Sequence, residues 1–385
     1  MTDLVYDYAI VGGGCAGFQL LYQLAQQPDW SNQRVLLLAD DTSLQRTWCF
    51  WSRDREPLLH HLIEKSWPSI TFRSAGFTRT EPIAPYQYHY LSGEAFFGYF
   101  YEQFLPAQPT ITRLSVTVDN ISRTGDAFVL TGAGETWRAR RVFSSRLPAV
   151  PRSARFRLWQ HFGGWFVRTD RPIFDAQTAT LMDFTLPQQG AIQFGYVLPF
   201  SANRALVEVT VFSPAVYTQE QYTGLLADYI RENWPGVAFE IEATEQGQIP
   251  MTDFPFSRYG PAGEILIGTA AGMVKATTGY AFRRIGLDSV QLARLPVTAS
   301  DPADSLVSWP VTSGRFRFYD RLLLGIAAEQ PAVGAAIFAH LFRYGSFPDI
   351  LRFLDEESDL LTEAKLISRL PYIPFLTQLA RQWLR

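Results

Sequence analysis

Two cysteines, Cys15 and Cys49, are all that the 385 residues contain. That excludes a disulfide framework and a cysteine-based zinc site. The five histidines (His60, His61, His89, His161 and His340) fall at no metal-ligand spacing. His60 and His61 are adjacent, would point in different directions on a helix, and read as surface or capping residues. No metal ligand is therefore expected. Long apolar runs are also missing: no stretch of roughly 18 uninterrupted apolar residues exists to cross a bilayer. The nearest candidate, residues 322–342, is interrupted by Glu329, Gln330 and Pro331. Neither sign of charge is in marked excess, with 34 basic against 37 acidic residues and a net charge of −3. Without a lysine or arginine run to track a phosphate backbone, nucleic acid is excluded as the main partner. The chain opens almost directly on a strand, so no secretory signal is expected. The expected location is cytoplasmic, compatible with residence on a membrane surface. No internal repeat or low-complexity tract is present.

What the chain has in quantity is large apolar side chains. Hydrophobic residues make up 47% of it and aromatic residues 15%, enough for two or three domains with a substantial core. Such a load reads equally as core filling or as a pocket for a long apolar ligand or a cationic intermediate.

The N-terminal pattern is a βαβ unit. Residues 7–11 form a short apolar strand, GGGCAG follows, residues 18–27 read as a helix stopped by Pro28, and RVLLL at 34–38 is a second buried strand. Gly12, Gly14 and Gly17 make GxGxxG between strand and helix. There the backbone turns tightly and approaches a pyrophosphate whose charge meets the helix N-terminus. Asp40 lies just past the second strand, with Asp41 as the fallback, where an acid binds ribose hydroxyls; this argues for FAD or NAD. Late in the chain, residues 267–282 (IGTAAGMVKATTGYAF) repeat the geometry of a strand end, small residues and a helix start. Two such loops suggest one large cofactor held from both ends. Thr269 stands where many flavoproteins of this topology have a ribityl-binding aspartate, and Gly272 and Gly279 allow close approach to a flavin ring. Lys275 reads as facing either the cofactor phosphate or solvent. Arg46, at the head of RTWCFW, completes the candidate cofactor residues; Trp48, Phe50 and Trp51 in that motif read as a flavin or tunnel wall, or as core.

Between the loops the character changes. Residues 164–169, 179–184, 193–198 and 205–212 show strand-like alternation with Pro and Gly punctuation, and 219–233 reads as a helix among them. This predicts a large, mostly antiparallel sheet. In ALVEVTVF, Glu208 shares a face with Leu206, Thr210 and Phe212, opposite Val207, Val209 and Val211. Read alone, Glu208 is a solvent or sheet-edge residue; if its face lines a pocket, desolvation raises its pKa and makes it a general acid. Asp183 in TLMDF is a relay partner or a turn or sheet-edge residue. FLDEES at 353–358 reads as a helix cap or as acids near a cavity mouth. From about residue 315 the chain is helical, through 322–328, 333–344 and 350–354.

The segments RTWCFW, LMDF, VLPF…ALVEVTVFS, GQIPMTDF, IGTAAGMVKATTGYAF and FLDEES occur in an order that resembles the bacterial lycopene cyclase family, over residues 8–374. The resemblance implies an α/β (α+β) flavoprotein of p-hydroxybenzoate hydroxylase-like architecture. The Rossmann-type FAD-binding domain is expected at 1–75, 91–150 and 259–314. The mostly antiparallel substrate domain is expected at 76–90 and 151–258, and a helical C-terminal region at 315–385. It further implies FAD, NAD(P)H as reductant, and redox-neutral closure of β-rings on the ψ-ends of lycopene or a related carotenoid. Glu208 matches the family's catalytic glutamate. Val209 stands where many members carry a second acid, which puts a two-carboxylate relay there in doubt, and Ala271 replaces a glycine of the usual GTAGG. Asp355, Glu356 and Glu357 carry over from FLDEES. A lipid-borne substrate requires the enzyme to reach a membrane, and the apolar, basic segment 366–385, with Arg369, Arg381 and Arg385, suits either an interfacial segment or a packed helix. The same features leave open a flavin-dependent monooxygenase, a polyprenyl reductase or a non-catalytic isoprenoid carrier.

Overall fold

The computed structural model describes residues 4–40, 46–53, 59–147, 154–295 and 312–383; Asp41 lies outside them. The first sheet has seven strands. Ile111–Leu114, Val35–Leu38, Val5–Val11 and the C-terminal half of Glu135–Ser144 run parallel, with Ile265–Leu266 added beside the last. Asn120–Thr124 and Ala127–Gly132 extend it antiparallel. The VLLL strand is buried on both faces, against helices on one and against Val118, Phe128 and Leu130 of the sheet's own strands and loops on the other. On one face the helices Cys15–Leu24 and Phe282–Leu292 pack together through Phe18, Leu21, Phe282 and Ile285. The amide of Gln19 donates to the carbonyl of Phe282, tying them further.

The second sheet also has seven strands, in the order Phe239–Thr252, Arg157–Thr169, Arg204–Ser213, Ile192–Ser201, Thr178–Asp183, Ser69–Ser74 and Phe77–Pro82. All its pairings are antiparallel except that between 178–183 and 69–74. Its faces are filled differently. Val207, Val209 and Val211 pack on Leu226, Tyr229 and Ile230 of the helix Gln219–Asn233. That helix starts at a reciprocal capping box between Thr218 and Gln221. Leu206 and Phe212 face the other way, toward Tyr88, Tyr196 and the C-terminal helices. A small sheet of Thr47–Arg53, Tyr86–Ser92 and Lys65–Trp67 lies between the two large ones. The helices Gly314–Glu329, Pro331–Tyr344, Phe347–Leu354, Leu360–Ile367 and Tyr372–Trp383 close the chain.

One expected boundary is corrected. Residues 69–75 were assigned with the cofactor domain, but Ser69–Ser74 pairs in the second sheet. The 75/76 division cuts a hairpin at its turn, where Gly76 takes φ +82°. Phe72 anchors that hairpin, stacking on Phe342 of the C-terminal helices at 4.4 Å between ring centroids.

A buried ion pair joins the end of the second sheet to the cofactor side. Arg258 grips Asp288 of the 282–292 helix with two hydrogen bonds of 2.6 and 2.9 Å and also reaches the carbonyl of Leu266. Both partners are under 10% exposed as side chains. Removing one partner leaves a buried charge uncompensated, a loss on the order of 3–5 kcal/mol. Arg258→Ala should lower stability by about that amount in a urea or guanidinium melt, and Arg258→Lys should recover only part of it.

Candidate active site

The first glycine loop is built for close approach. Gly12 has φ +108°, and a Cβ there would lie 2.0 Å from Ser145 Oγ. A Cβ on Gly17 would meet the carbonyl oxygen of Gly12 at 2.1 Å, so strand and helix can cross only through glycine. Gly14 caps the helix with no side-chain hydrogen bond and no acid in the first turn. Its first amides are thus left for an anion. Asp40 follows the second strand, and its Oδ2 accepts from the Thr117 hydroxyl at 2.7 Å. Arg46 is exposed, yet its charge acts on Cys15, the first residue of that helix. It therefore belongs to the surroundings of the same anion site.

The second loop meets the first. Gly268, with φ +61°, lies so near Ala16 that a Cβ would come within 2.7 Å of the alanine methyl. Thr269 sits in the tight turn Gly268–Ala271, and Gly272 follows with φ +74°. Gly279, with φ +76°, is pressed against Gln160 of the second sheet, where a Cβ would lie 2.3 Å from Oε1. The helix Phe282–Leu292 again starts without a side-chain cap or first-turn acid. Two uncapped helix N-termini beside two touching glycine loops fit a dinucleotide such as FAD. Gly12, Gly14, Gly17, Asp40 and Arg46 would lie toward the pyrophosphate and ribose of such a group, and Thr269, Gly272 and Gly279 toward its other end.

Lys275 is a correction. It is buried from solvent and turned toward carboxylates. Its ammonium is buried between Asp320, at 2.8 Å, and Glu356, at 3.0 Å. Arg284 also reaches Glu356, while Arg283 pairs with Asp355 and Glu357 and Arg53 with Glu357. FLDEES thus caps the end of the helix Phe347–Leu354, with Asp355 at the C-cap and Glu356 at φ +64°, and its acids are also counter-ions that lock the second glycine loop to the C-terminal helices.

Glu208 sits in a row that crosses four strands. Tyr196, Glu208, Gly164 and Glu245 are register partners in sequence, so all four project from one face. Glu208 is only 7% exposed, and its Oε1 accepts from the Thr210 hydroxyl at 2.6 Å. Glu245 reaches in from beyond Gly164, and its Oε2 accepts from Thr47 at 2.6 Å. Burial, together with the neighbouring Glu245 carboxylate, pushes the Glu208 carboxyl well above the usual range. Glu245 also rises, chiefly through burial, but less so because Thr47 and Glu208 hydrogen-bond to it.

RTWCFW supplies the roof of this row through simple alternation. Thr47, Cys49 and Trp51 point one way and Trp48 and Phe50 the other. Thr47 holds Glu245; Cys49 lies near Tyr196 and both glutamates; Trp51 packs edge-on against Tyr280 at 4.6 Å between ring centroids. Trp48 and Phe50 instead pack on Phe96 and Phe282 and are core. The hydroxyl of Tyr88 joins those of Tyr196, at 2.5 Å, and Tyr280, at 2.8 Å. Burial raises all three phenols and the Cys49 thiol, so these groups stay neutral around physiological pH. The wall beside Glu208 is aromatic, uncharged and able to hydrogen-bond.

Asp183 is the turn residue at a strand end and not a relay partner of Glu208. Its register partner is Gly195, which pairs with Val209, so it lies on the valine face, across the sheet from Glu208. There it is fully buried. Its carboxylate takes Arg73 at 2.7 Å, the Tyr229 hydroxyl at 2.8 Å, and the Thr185 amide and hydroxyl. Every lone pair is committed to structure.

The chain aligns over 94% of its length with p-nitrophenol 4-monooxygenase PnpA from Pseudomonas putida DLL-E4 (TM-score 0.59, 15% identity, 98% of that chain). It aligns over 98% with a flavoprotein/dehydrogenase from Cytophaga hutchinsonii (TM-score 0.59, 14% identity, 100% of that chain). Halogenase PltM, solved in complex with FAD, matches over 95% (TM-score 0.57, 12% identity, 86% of that chain). The fold is therefore the one shared by flavoprotein monooxygenases and halogenases. Within that class, the model of the lycopene cyclase protein family matches residues 7–380, and the chain belongs to that family. Curated relatives named lycopene beta-cyclase include those of Pantoea ananas (26% identical, 97% of each chain) and Pseudescherichia vulneris (23% identical, 96% of this chain and 95% of that one).

The two acids of the sheet should separate on mutation. Asp183→Asn should cost stability in thermal melts while the folded fraction keeps its specific activity. A melt unchanged with activity abolished would return Asp183 to the chemistry.

Proposed function

We propose that this protein is a lycopene β-cyclase that closes β-rings on the ψ-ends of lycopene without net redox change. The reading is carried by Glu208, a buried carboxyl pushed well above its usual range by burial and by the neighbouring Glu245 and walled by neutral aromatic side chains, in a chain of the lycopene cyclase family. Glu208 protonates the terminal alkene and leaves a tertiary cation. The neighbouring double bond attacks that cation and closes the ring, and loss of a ring proton gives the β-ionone end. Exclusion of water prevents capture of the cation, and the faces of Tyr88, Tyr196, Tyr280 and Trp51 stabilise it. The two glycine loops, through Gly12, Gly14, Gly17, Thr269, Gly272 and Gly279, would hold FAD, which when bound in a reduced anionic form would supply a negative charge near the cation. NAD(P)H is the proposed source of that reduction, and the reaction class is an isomerisation.

Glu208→Gln should bind FAD normally and lose cyclisation by about 10²-fold or more, scored as β-carotene formed from lycopene under anaerobic, reduced-flavin conditions. Near-normal product from that variant would remove Glu208 from the chemistry. Product formation in strict proportion to NAD(P)H consumed would favour a reductase or monooxygenase on the same fold.

Access to a lipid-borne substrate is proposed through the last two helices. No helix among the described residues is long and apolar enough to cross a membrane. Leu361 (84% exposed), Tyr372 (70%), Ile373 (64%) and Leu376 (58%) instead give these helices an exposed apolar surface. Such a surface suits the headgroup boundary of a bilayer. Polar replacement of Leu361, Ile373 and Leu376 together should reduce co-flotation with anionic vesicles severalfold while leaving the melting temperature unchanged.

A further inference from the structure

The carboxylate pair carries more than the assignment of Glu208 as an acid. Glu208 and Glu245 come from strands that are not neighbours, because the Arg157–Thr169 strand lies between them. Two strand spacings separate their backbones by about 10 Å. They meet only because the intervening register partner is Gly164. A Cβ at that position would lie 3.3 Å from both Glu208 Cβ and Glu245 Cγ, and 2.9 Å from Leu206 Cδ1. The two side chains thus converge over the one position in the row that has none. The carboxyl groups are hydrogen-bonded to each other, and each has its own hydroxyl donor: Thr210 for Glu208 and Thr47 for Glu245. No described lysine, arginine or histidine is ion-paired with either.

We infer that Glu245 shares a single proton with Glu208 across Gly164, so that two carboxylates from different strands act as one acid–base unit. The inference rests on the cyclase reading above. Glu208 is buried and Glu245 half-buried beside it, and two such adjacent carboxylates resist ionising together, so the pair keeps one proton and one negative charge. Glu208 lends that proton to the terminal alkene, and the pair becomes a dianion. Ring closure forms one carbon–carbon bond from the π electrons of the neighbouring alkene and leaves a ring cation. That cation then loses a proton to the dianion, and the pair regains its starting state. One proton leaves and one returns, no electron is gained or lost, and the product is an isomer of the substrate. Glu245 is a positioning residue in this scheme: it holds the proton on Glu208 and makes the spent pair basic enough to recover one.

Other groups facing the pair do not supply this function. Cys49 and Thr47 approach from the RTWCFW strand, Tyr88 and Tyr90 from the 86–92 strand, Tyr196 from the adjacent strand, and Tyr280 from the second glycine loop. Tyr222 lies across the sheet. Burial keeps these phenols and the thiol neutral, so among the described residues the ionised neighbour of Glu208 is Glu245.

The test compares Glu245→Gln, Glu245→Asp and Glu208→Gln, each checked for FAD content and melting temperature, in anaerobic cyclisation of lycopene across pH. Glu208 must be protonated to act, so the rate falls as pH rises through its pKa. Removing the negative charge of Glu245 lowers that pKa. Glu245→Gln should therefore move the alkaline limb of the profile down by about one pH unit or more, and Glu245→Asp should restore most of the shift. An alkaline limb at the wild-type pH in Glu245→Gln, whatever the rate, would overturn the shared proton and leave Glu208 as acid. Full cyclisation by Glu208→Gln would overturn the acid reading itself. Infrared difference titration of the wild-type protein is independent of variant folding. It should show one protonated carboxyl persisting above about pH 7; two carboxyls titrating in the ordinary range would refute the pair.

Discussion

The buried ion cluster behind the second glycine loop is the constraint on which the site depends. Lys275, Arg283, Arg284 and Arg53 meet Asp320, Asp355, Glu356 and Glu357, four charges of each sign. Arg53 and Glu357 lie at its partly exposed rim, and burying the other six ions is tolerable only when each has its counter-ion in place. The cluster therefore fixes distant parts of the chain in one arrangement: the end of the RTWCFW strand, the loop that carries Gly279 and Tyr280, the 314–329 helix, and FLDEES. Tyr280 reaches Tyr88 and Trp51 from a loop anchored on its far side by these pairs. The aromatic wall and the cofactor loop are thereby held by one set of charges. Its contribution is more to geometry than to net stability, since a desolvated ion pair returns little of what its burial costs.

Much of the fold was legible because it follows from periodicity. The VLLL strand, the glycine loop after the first strand and the 219–233 helix are local patterns with local causes. The alternation of ALVEVTVF correctly put Glu208 opposite the valines, but could not say which face met solvent. Glu245 was illegible for a physical reason. It lies in EIEATEQGQ, a strand with several acids, and nothing local separates it from Glu240 or Glu242. Glu242 pairs at the surface with Arg168 and Arg204. Only the cross-strand register, with Gly164 between, distinguishes Glu245. With Val209 at the next position, the acid that does stand near Glu208 comes from another strand, across Gly164.

The misplaced residues follow the same logic. Asp183 shares a domain with Glu208 and even a sheet, but a sheet has two faces and the bulged pairing of 178–183 turns it toward Tyr229. Lys275 sits in a cofactor-like loop, where a cation reads as a phosphate ligand. Its partners lie 45 and 81 residues further on, beyond the reach of local pattern. RTWCFW is compositionally conspicuous, yet its meaning is an alternation in which one face builds the reaction wall and the other fills the core.

The row Tyr196–Glu208–Gly164–Glu245 has a consequence for how this sheet can change. Side chains on a strand alternate strictly, so a slip of the 204–213 strand by one residue would carry the carboxylate to the helix-packed face and present valine to the polyene. Folding error and chemical error are then the same event. A misregistered chain would bury an unpaired acid against Leu226 and Ile230 and would be unstable before it was inactive. Insertions and deletions in these central strands are thus purged by the folding equilibrium itself, whereas loops at the sheet ends are free to drift in length.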